Sequence, residues 1–251
     1  MRQTPRPGAP ASPAGPRLRA PQEPQAGSAS TISRTTLPPR QHIRCYECQY
    51  EFNLTGRMTS THCPKCRASL DLAGYTIDAE CREILKTLGA IKITPRGIVS
   101  SSALVATDLD LAGKVSESTV EVFSLLTIQP GADFIRGNIR TPDVKLQPNA
   151  EMSLKNLAVF RNVEIYGTLR THLYSTGTVT LRAGGALFGG VYGGHLVVED
   201  GATLIGEVVI GPEGLARVEK AQTQAAMYQR DENSERVMVL STAPAPATAA
   251  T

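Results

Sequence analysis

Residues 126–134 read Leu-Thr-Ile-Gln-Pro-Gly-Ala-Asp-Phe, and residues 144–152 repeat the form as Val-Lys-Leu-Gln-Pro-Asn-Ala-Glu-Met. In each copy an apolar–any–apolar pair is followed by a turn built on proline and glycine or asparagine. Working outward, such pairs recur at steps of 16 to 19 residues between Ile91 and Ile210. The pairs are Ile91/Ile93, Leu109/Leu111, Leu126/Ile128, Val144/Leu146, Val163/Ile165, Val179/Leu181 and Leu196/Val198. A fixed period of apolar pairs and turns predicts a solenoid.

The length of the step indicates which kind of solenoid. About 17–18 residues is too short for a helix–turn–helix repeat, which needs more than about 30, but it fits three short strands separated by turns. The period-2 spacing within each pair directs both side chains into a shared interior. We therefore predict an all-β fold, a three-sided parallel β-helix over residues 90–212. A β-sandwich with irregularly spaced hairpins is the alternative.

Further interior positions follow from the turns, several of which end in alanine, a small residue suited to a tight corner. The additional candidates are Ala132, Phe134, Ile139, Ala150, Met152, Leu169, Ala186, Phe188, Ala202, Leu204 and Val208. The composition agrees, because a chain with 5% aromatic residues and no tryptophan suits a narrow aliphatic interior. No apolar stretch approaches the roughly 18 residues of a membrane span, and no secretory signal is recognisable. We expect a cytoplasmic protein.

Two Cys-x-x-Cys motifs precede the repeats. Cys45, Cys48, Cys63 and Cys66 form two metal-binding knuckles, and we predict a zinc ribbon over residues 45–75. Four thiolates complete a tetrahedral shell and leave no open position, so the expected Zn²⁺ is structural. His62 is an alternative ligand, and a redox role for the motifs is a weaker interpretation because no βαβ pattern surrounds them.

The segment between the ribbon and the repeats has a helical pattern. Its apolar residues are spaced at three to four positions, with Asp78 as a possible N-cap and Gly89 as a stop. The apolar residues are Ile77, Cys81, Ile84, Leu85 and Leu88. We predict a short helix over residues 76–89 that covers the first end of the rod.

Both termini have the composition of disordered segments. Residues 1–44 contain nine prolines and seven arginines but a single acidic residue, Glu23. This segment is either an electrostatic tether to phosphate or a solvated linker. Residues 213–251 begin with a weak helical stripe (Leu215, Val218, Ala225 and Tyr228) and end in an Ala/Pro/Thr tail predicted to be disordered.

The repeated forms, including Val-Val-Glu-Asp-Gly-Ala-Thr-Leu-Ile-Gly-Glu-Val over residues 197–208, resemble the bactofilins, bacterial polymer-forming cytoskeletal proteins. The resemblance covers residues 91–212, about half the chain. It implies a right-handed β-helix that assembles end to end into filaments without nucleotide. It also implies a location at the cytoplasmic face of the inner membrane, near the membrane surface or cell-wall machinery. The zinc ribbon, and an N-terminal tail without a short apolar membrane-binding stretch, depart from the family pattern.

These observations favour a structural scaffold, a self-assembling rod that displays zinc ribbons and recruits partners through them. The physics of a solenoid supports self-association independently, because its ends present unpaired strand edges. The alternative is a nucleic-acid-binding adaptor that uses the basic tail and the ribbon. We expect neither an enzyme nor a small-molecule substrate, because His172 and His195 are isolated in the sequence and no nucleophile–base pattern accompanies them.

Overall fold

The computed structural model describes residues 33–35, 40–56, 58–155 and 158–224. In this part of the chain the predicted all-β class is confirmed, as a three-sided parallel β-solenoid of about 8 coils. The strands, in chain order, are β1 (Ser33–Thr35), β2 (Arg40–Arg44), β3 (Glu51–Thr55), β4 (Ser60–His62), β5 (Ser69–Asp71), β6 (Gly74–Ile77), β7 (Glu80–Cys81), β8 (Leu85–Lys86), β9 (Ala90–Ile93), β10 (Ile98–Ser100), β11 (Ala103–Leu111), β12 (Lys114–Ile128), β13 (Asp133–Arg140), β14 (Asp143–Leu146), β15 (Glu151–Ser153), β16 (Ala158–Phe160), β17 (Asn162–Ile165), β18 (Thr168–Arg170), β19 (Leu173–Leu181), β20 (Ala186–Phe188), β21 (Val191–Val198), β22 (Thr203–Ile205) and β23 (Val208–Ile210). A helix, α1, follows over residues 212–224.

The first side of the solenoid stacks the predicted pairs in register. Its strands run β6–β9–β11–β12–β14–β17–β19–β21, all parallel. Leu109, for example, lies between Ile91 of the coil before and Leu126 of the coil after. Each of the predicted pairs occupies this register, and an additional pair, Tyr75/Ile77, precedes them. The predicted period therefore sets the ladder of the whole rod.

The second and third sides complete each coil. On the second side each coil contributes one inward-pointing residue. Val99 of β10, Val115 of β12 and Leu169 of β18 are examples, and all three are buried. The ladder on this side is interrupted once, because β13 pairs with β12 and β15 pairs with β18, whereas β13 and β15 do not pair with each other. A cavity of about 480 Å³ opens at the interruption. The coils on either side of the interruption are nevertheless joined on the first side, where β12 pairs with β14.

The predicted interior positions are confirmed with two exceptions. Buried positions are Ala132, Ala150, Met152 and Leu169, and partly buried positions that pack against the core are Phe134, Ile139, Ala202 and Leu204. Val208 points inward but is exposed because it lies in the last coil.

The exceptions are Ala186 and Phe188, where the prediction was wrong by one position. Leu187 is the residue that is fully buried there, and the Phe188 ring instead lies against the guanidinium of Arg170 at 4.7 Å. The reason is the corner, which in this coil is formed by Gly185 rather than by an alanine. The inward position itself keeps its spacing, because Leu187 follows Leu181 by six residues as Phe134 follows Ile128; Ala186 lies one residue beyond the corner, so counting from the alanine gives the wrong position.

The predicted helix over residues 76–89 is wrong, because this segment forms the first coil. Ile77 lies in β6 on the first side, Cys81 in β7 on the second and Leu85 in β8 on the third. Each strand pairs in parallel with the next coil, and Ile84 is 67% exposed. A short coil with one inward residue on each side gives an apolar spacing of about four, which is also the spacing of a helix.

The terminal predictions are only partly within the described residues. In the segment predicted to be disordered, β1 pairs antiparallel with β6 and β2 begins the ribbon; the other residues before position 40 lie outside the described ranges. The weak stripe after residue 213 begins within α1, where Val218 is buried. Ala225, Tyr228 and the Ala/Pro/Thr tail lie outside the described residues.

No helix in the described part of the chain is both long and apolar enough to cross a membrane.

The corner at Gly113 generates a test of the solenoid geometry. A Cβ at Gly113 would clash with the backbone carbonyl oxygens of Gly97 and Thr94, so we expect Gly113→Ala to destabilise the protein by about 1–3 kcal/mol. The control is Gly201→Asn, at a turn where φ is +84° and no atom lies near the missing Cβ. Asn149 already adopts a φ of 62° in another coil, so this change should lower stability by less than about 0.5 kcal/mol. Urea unfolding followed by circular dichroism measures both, and equal losses would contradict the corner model.

Candidate metal centre

Each Cys-x-x-Cys motif lies at the tip of an antiparallel hairpin. The first hairpin pairs β2 with β3, with Arg44 opposite Glu51, and Cys45 follows directly after β2. The second pairs β4 with β5, with His62 opposite Ser69, and Cys63 follows directly after β4. The two hairpins therefore present their cysteines at equivalent positions.

The two knuckles have the same backbone geometry. The N–H of Gln49 donates to the carbonyl of Cys45, and the N–H of Arg67 donates to the carbonyl of Cys63, both at 2.9 Å. Gln49 and Arg67 adopt left-handed conformations with φ of 60° and 61°. This tight turn directs both thiols of a motif toward one point.

The four thiols converge on that point. The Sγ atoms of Cys45 and Cys66 are 3.8 Å apart, those of Cys48 and Cys63 are 3.6 Å apart, and all four lie within 4.8 Å of one another. A tetrahedral ion with metal–sulfur bonds of about 2.3 Å requires sulfur–sulfur distances of about 3.8 Å. The arrangement fits a metal ion held by four thiolates.

The thiols of the cluster differ in burial and in hydrogen bonding. Cys45 and Cys63 are buried, whereas Cys66 is exposed. Burial raises the pKa of Cys63, but hydrogen bonds from the backbone N–H groups of Cys66 and Lys65 and from the neighbouring thiols outweigh it and lower that pKa to about 6. The pKa of Cys66 is raised to about 12: the backbone N–H of Ala68 lowers it, but desolvation of the sulfur on the side that faces the cluster and hydrogen bonds with the other three thiols raise it by more. A bound cation would remove this competition, because it takes the place of the shared protons.

The histidines predicted as alternatives lie elsewhere. His62 is exposed at the end of β4, and the group of side chains among the described residues that could hold a metal ion consists of cysteines alone. His172 follows β18 and stacks on Tyr192 with ring centroids 6.4 Å apart. His195 lies on the exposed face of β21.

Sequence reasoning missed how the ribbon is attached to the solenoid. Leu70 and Leu72 of the ribbon form one buried cluster with Leu88 of the first coil, and Phe123 of β12 packs against it. Cys45 and Cys63 belong to the same cluster. An ion pair joins Lys86 and Glu47 at 2.9 Å. The sequence contained one indication of this contact: Phe123 is an apolar residue that does not belong to the period-2 pattern of the coil interior.

The attachment runs along a side of the rod. A groove between ribbon and solenoid is lined by ribbon residues such as Arg44 and by residues of several successive coils, including Thr107, Glu121 and Thr141. These solenoid residues lie at the corner between the third and first sides. The ribbon therefore lies beside this corner and leaves the last coils uncovered.

No protein-family model, curated protein or solved structure matches the chain. The resemblance to the bactofilins is supported as far as the β-solenoid, and membership of that family stays a prediction.

Removal of one thiol tests the metal centre. We expect Cys45→Ala to abolish stoichiometric metal binding, because three thiolates cannot complete the shell, and to loosen the ribbon, because metal binding contributes folding free energy. The control, Cys81→Ala, removes the buried cysteine of β7, outside the cluster. Inductively coupled plasma mass spectrometry should find one metal ion per chain in the control and none in Cys45→Ala. One ion in both would contradict the assignment.

Substitution of Phe123 tests the attachment independently of the metal. We expect Phe123→Ala to release the ribbon from the solenoid, at a cost of about 1–3 kcal/mol for a partly buried phenyl group, while metal content stays the same. Limited proteolysis within residues 40–72 should become several-fold faster. Ile84→Ala, at a position 67% exposed, serves as the control and should leave proteolysis unchanged. Equal protection in all three proteins would contradict the docking role.

Proposed function

We propose that this protein is a structural scaffold that associates through the end of its solenoid and displays zinc-bound ribbons for partner recruitment. The observation that carries the proposal is the state of the last coil. Val198 and Val208 point inward yet are 48% and 42% exposed. Their neighbours one coil earlier, Leu181 and Val191, have no exposed surface. The interior is therefore open to solvent at this end.

In the described part of the chain, the outer edge of the last coil also lacks backbone hydrogen-bond partners. Among the described residues, β22 pairs only with β20, and β23 only with β21. The second half of β21 likewise pairs only with β19. A row of unpaired N–H and C=O groups beside exposed apolar side chains is a template for a further strand layer. A second copy of the chain would supply that layer.

The first end of the rod differs. Tyr75, Ile77 and Cys81 point inward in the first coil and are at most 7% exposed, and β1 occupies the outer edge of β6. If two copies associate only through their last coils, the same surface is used on both copies, and the product is a closed dimer with two-fold symmetry. Filaments, which the resemblance to bactofilins implies, additionally require association at the first end. Among the described residues the outer edges of β7 and β8 have no partner there, and release of β1 would free the outer edge of β6.

We propose that the four cysteines hold Zn²⁺. A four-thiolate tetrahedral set selects zinc or an iron–sulfur centre among biological metals, and zinc is the usual occupant of two hairpin knuckles. Cys45, Cys48, Cys63 and Cys66 would fill its coordination shell, so the ion would stabilise the ribbon rather than take part in a reaction.

The position of the ribbon along the side of the rod suits the presentation of its surface to partners. Because the ribbon lies along a side, stacking through the last coil leaves it accessible. Its exposed surface includes Tyr50, which stacks on Phe52 with centroids 6.3 Å apart, and the Lys65 ammonium group lies 5.9 Å from the Tyr50 ring. Repetition of this surface in an assembly would raise its avidity for a partner. A cytoplasmic location near membrane or cell-wall machinery is part of the proposal and rests on the resemblance alone.

The alternative is a nucleic-acid-binding adaptor, and the groove beside the ribbon gives it one observation. Arg44 and Arg140 line that groove, but Glu51 and Glu121 line it too. The mixed charge favours the scaffold. The adaptor predicts an affinity for single-stranded nucleic acid that falls steeply with salt and is lost in Arg44→Ala plus Arg140→Ala, which fluorescence anisotropy measures.

Charges placed at the open end test the scaffold. Multi-angle light scattering of the zinc-loaded chain should show an apparent mass that rises with protein concentration. We expect Val198→Asp, which places a charge in the open interior, to keep the protein monomeric. Val197→Asp is the matched control, because Val197 lies next to Val198 and is equally exposed at 48% but faces outward on the strand.

Two results would contradict the proposal. One is a monomer at every concentration, both for the full chain and for a chain ending at residue 224. The other is equal loss of assembly in Val197→Asp and Val198→Asp. If the protein assembles, negative-stain electron microscopy distinguishes dimers from filaments.

A further inference from the structure

We propose that residues 236–241 of the C-terminal tail, Arg-Val-Met-Val-Leu-Ser, add as a strand to the open end of the same chain's solenoid and compete there with a second copy. The inference rests on the proposed function because it concerns regulation of the same end. It commits to one occupant, the chain's own tail. Four observations support it: the open edge, the tail's composition, its reach and the position of α1.

The open edge lacks a covering layer on its first side. Leu196 and Val198 form the last inward pair of the ladder, and Val198 is 48% exposed. Among the described residues no strand pairs with the outer edge of this half of β21. A further strand with two apolar side chains at period-2 spacing would cover the pair and satisfy the unpaired backbone groups.

The tail contains one segment of that kind. All the valine and leucine residues of the final 27 residues lie in the run Val237-Met238-Val239-Leu240. The run offers both Val237/Val239 and Met238/Leu240 as apolar–any–apolar pairs, the form that recurs throughout the solenoid. It is preceded by the charged stretch 230–236 and followed by alanine, proline and threonine. A run of this composition favours an extended strand.

The tail is long enough to reach the edge. Helix α1 begins directly after the last coil and covers residues 212–224, a length of about 20 Å at 1.5 Å per residue. Residues 225–235 can span about 36 Å when extended. The run therefore reaches the last coil whichever way α1 points. A tether of this length places the run at a local concentration in the millimolar range, far above that of a second copy in a dilute solution.

Helix α1 is held beside the rod and leaves the end free. Arg217 donates to Glu207 at 2.8 Å, and its guanidinium lies 5.2 Å from the Tyr192 ring. The hydroxyl of Tyr192 also donates to Glu207, at 2.8 Å. This clamp fixes α1 against the third side, while Val198 on the first side stays exposed. The fold thus anchors the root of the tail near the end without covering it.

Assembly is then a competition between tail and second copy. While the tail strand is in place, the last coil has no free edge, and the protein is monomeric at low concentration. A partner that captures residues 236–241 releases the edge and promotes assembly. Loss of the tail has the same effect.

Hydrogen–deuterium exchange of the full, zinc-loaded chain at a concentration where it is monomeric tests the contact. We expect the amides of residues 237–241 to exchange at least about tenfold more slowly than an unstructured chain, together with protection in residues 196–198. The double variant Met238→Asp plus Val239→Asp places a charge on both faces of the strand and should remove the protection in both segments. The control, Ala247→Asp plus Thr248→Asp, carries the same charge in the same tail and should retain it.

Light scattering tests the competition. The Met238→Asp plus Val239→Asp variant should assemble at a concentration about tenfold lower than the control variant does. Unprotected amides at 237–241 in the monomer overturn the inference, whether or not the chain assembles. Cross-links from the tail that join isotopically labelled to unlabelled chains also overturn it, because the occupant is then a second copy. A protected tail, with no assembly even of a chain ending at residue 224, instead contradicts the proposed function and leaves the tail contact standing.

Discussion

The backbone groups of each strand inside this solenoid pair with strands of the coils before and after it. A coil of about 17–18 residues buries too little apolar surface to be stable alone, so every coil depends on the register of its neighbours. This dependence explains the small corner residues, because chains stacked about 4.8 Å apart leave no space for a Cβ at Gly113. It also explains why the last coil is left open: its outer edge lacks a partner among the described residues, and Val198 is exposed.

The ribbon packs against the solenoid without interrupting this stack. Cys45 and Cys63 share a buried cluster with Leu88, and Phe123 packs against the same cluster from the side of the rod. Lateral docking separates the surface that would recruit partners from the end that would bind another copy. The two ends of the rod also differ, since β1 covers the outer edge of β6 in the first coil. In the proposed scaffold, control of assembly would therefore lie at the last coil, next to the root of the tail.

The helix predicted over residues 76–89 was wrong because one local spacing of apolar residues is compatible with two structures. The spacing of Ile77, Cys81 and Leu85 is compatible with a helix face and equally with three sides of a short coil, and only the pairing with β9, β10 and β11 distinguishes them. At Phe188 the error was a shift of one residue, caused by the corner at Gly185. In a strand such a shift moves every side chain to the opposite face.

The sequence by itself determined the repeated register of the first side and the four cysteines of the metal centre, because both depend on short, fixed spacings. Period-2 pairs such as Leu109/Leu111 place both side chains on the same face of a strand whatever surrounds them, and a Cys-x-x-Cys turn brings its thiols together locally. Only the tertiary structure decided that residues 74–89 are a coil, that Phe123 holds the ribbon and that one end of the rod is open. Those features depend on contacts between residues distant in the chain, and local spacing does not specify which distant segment will cover an apolar face.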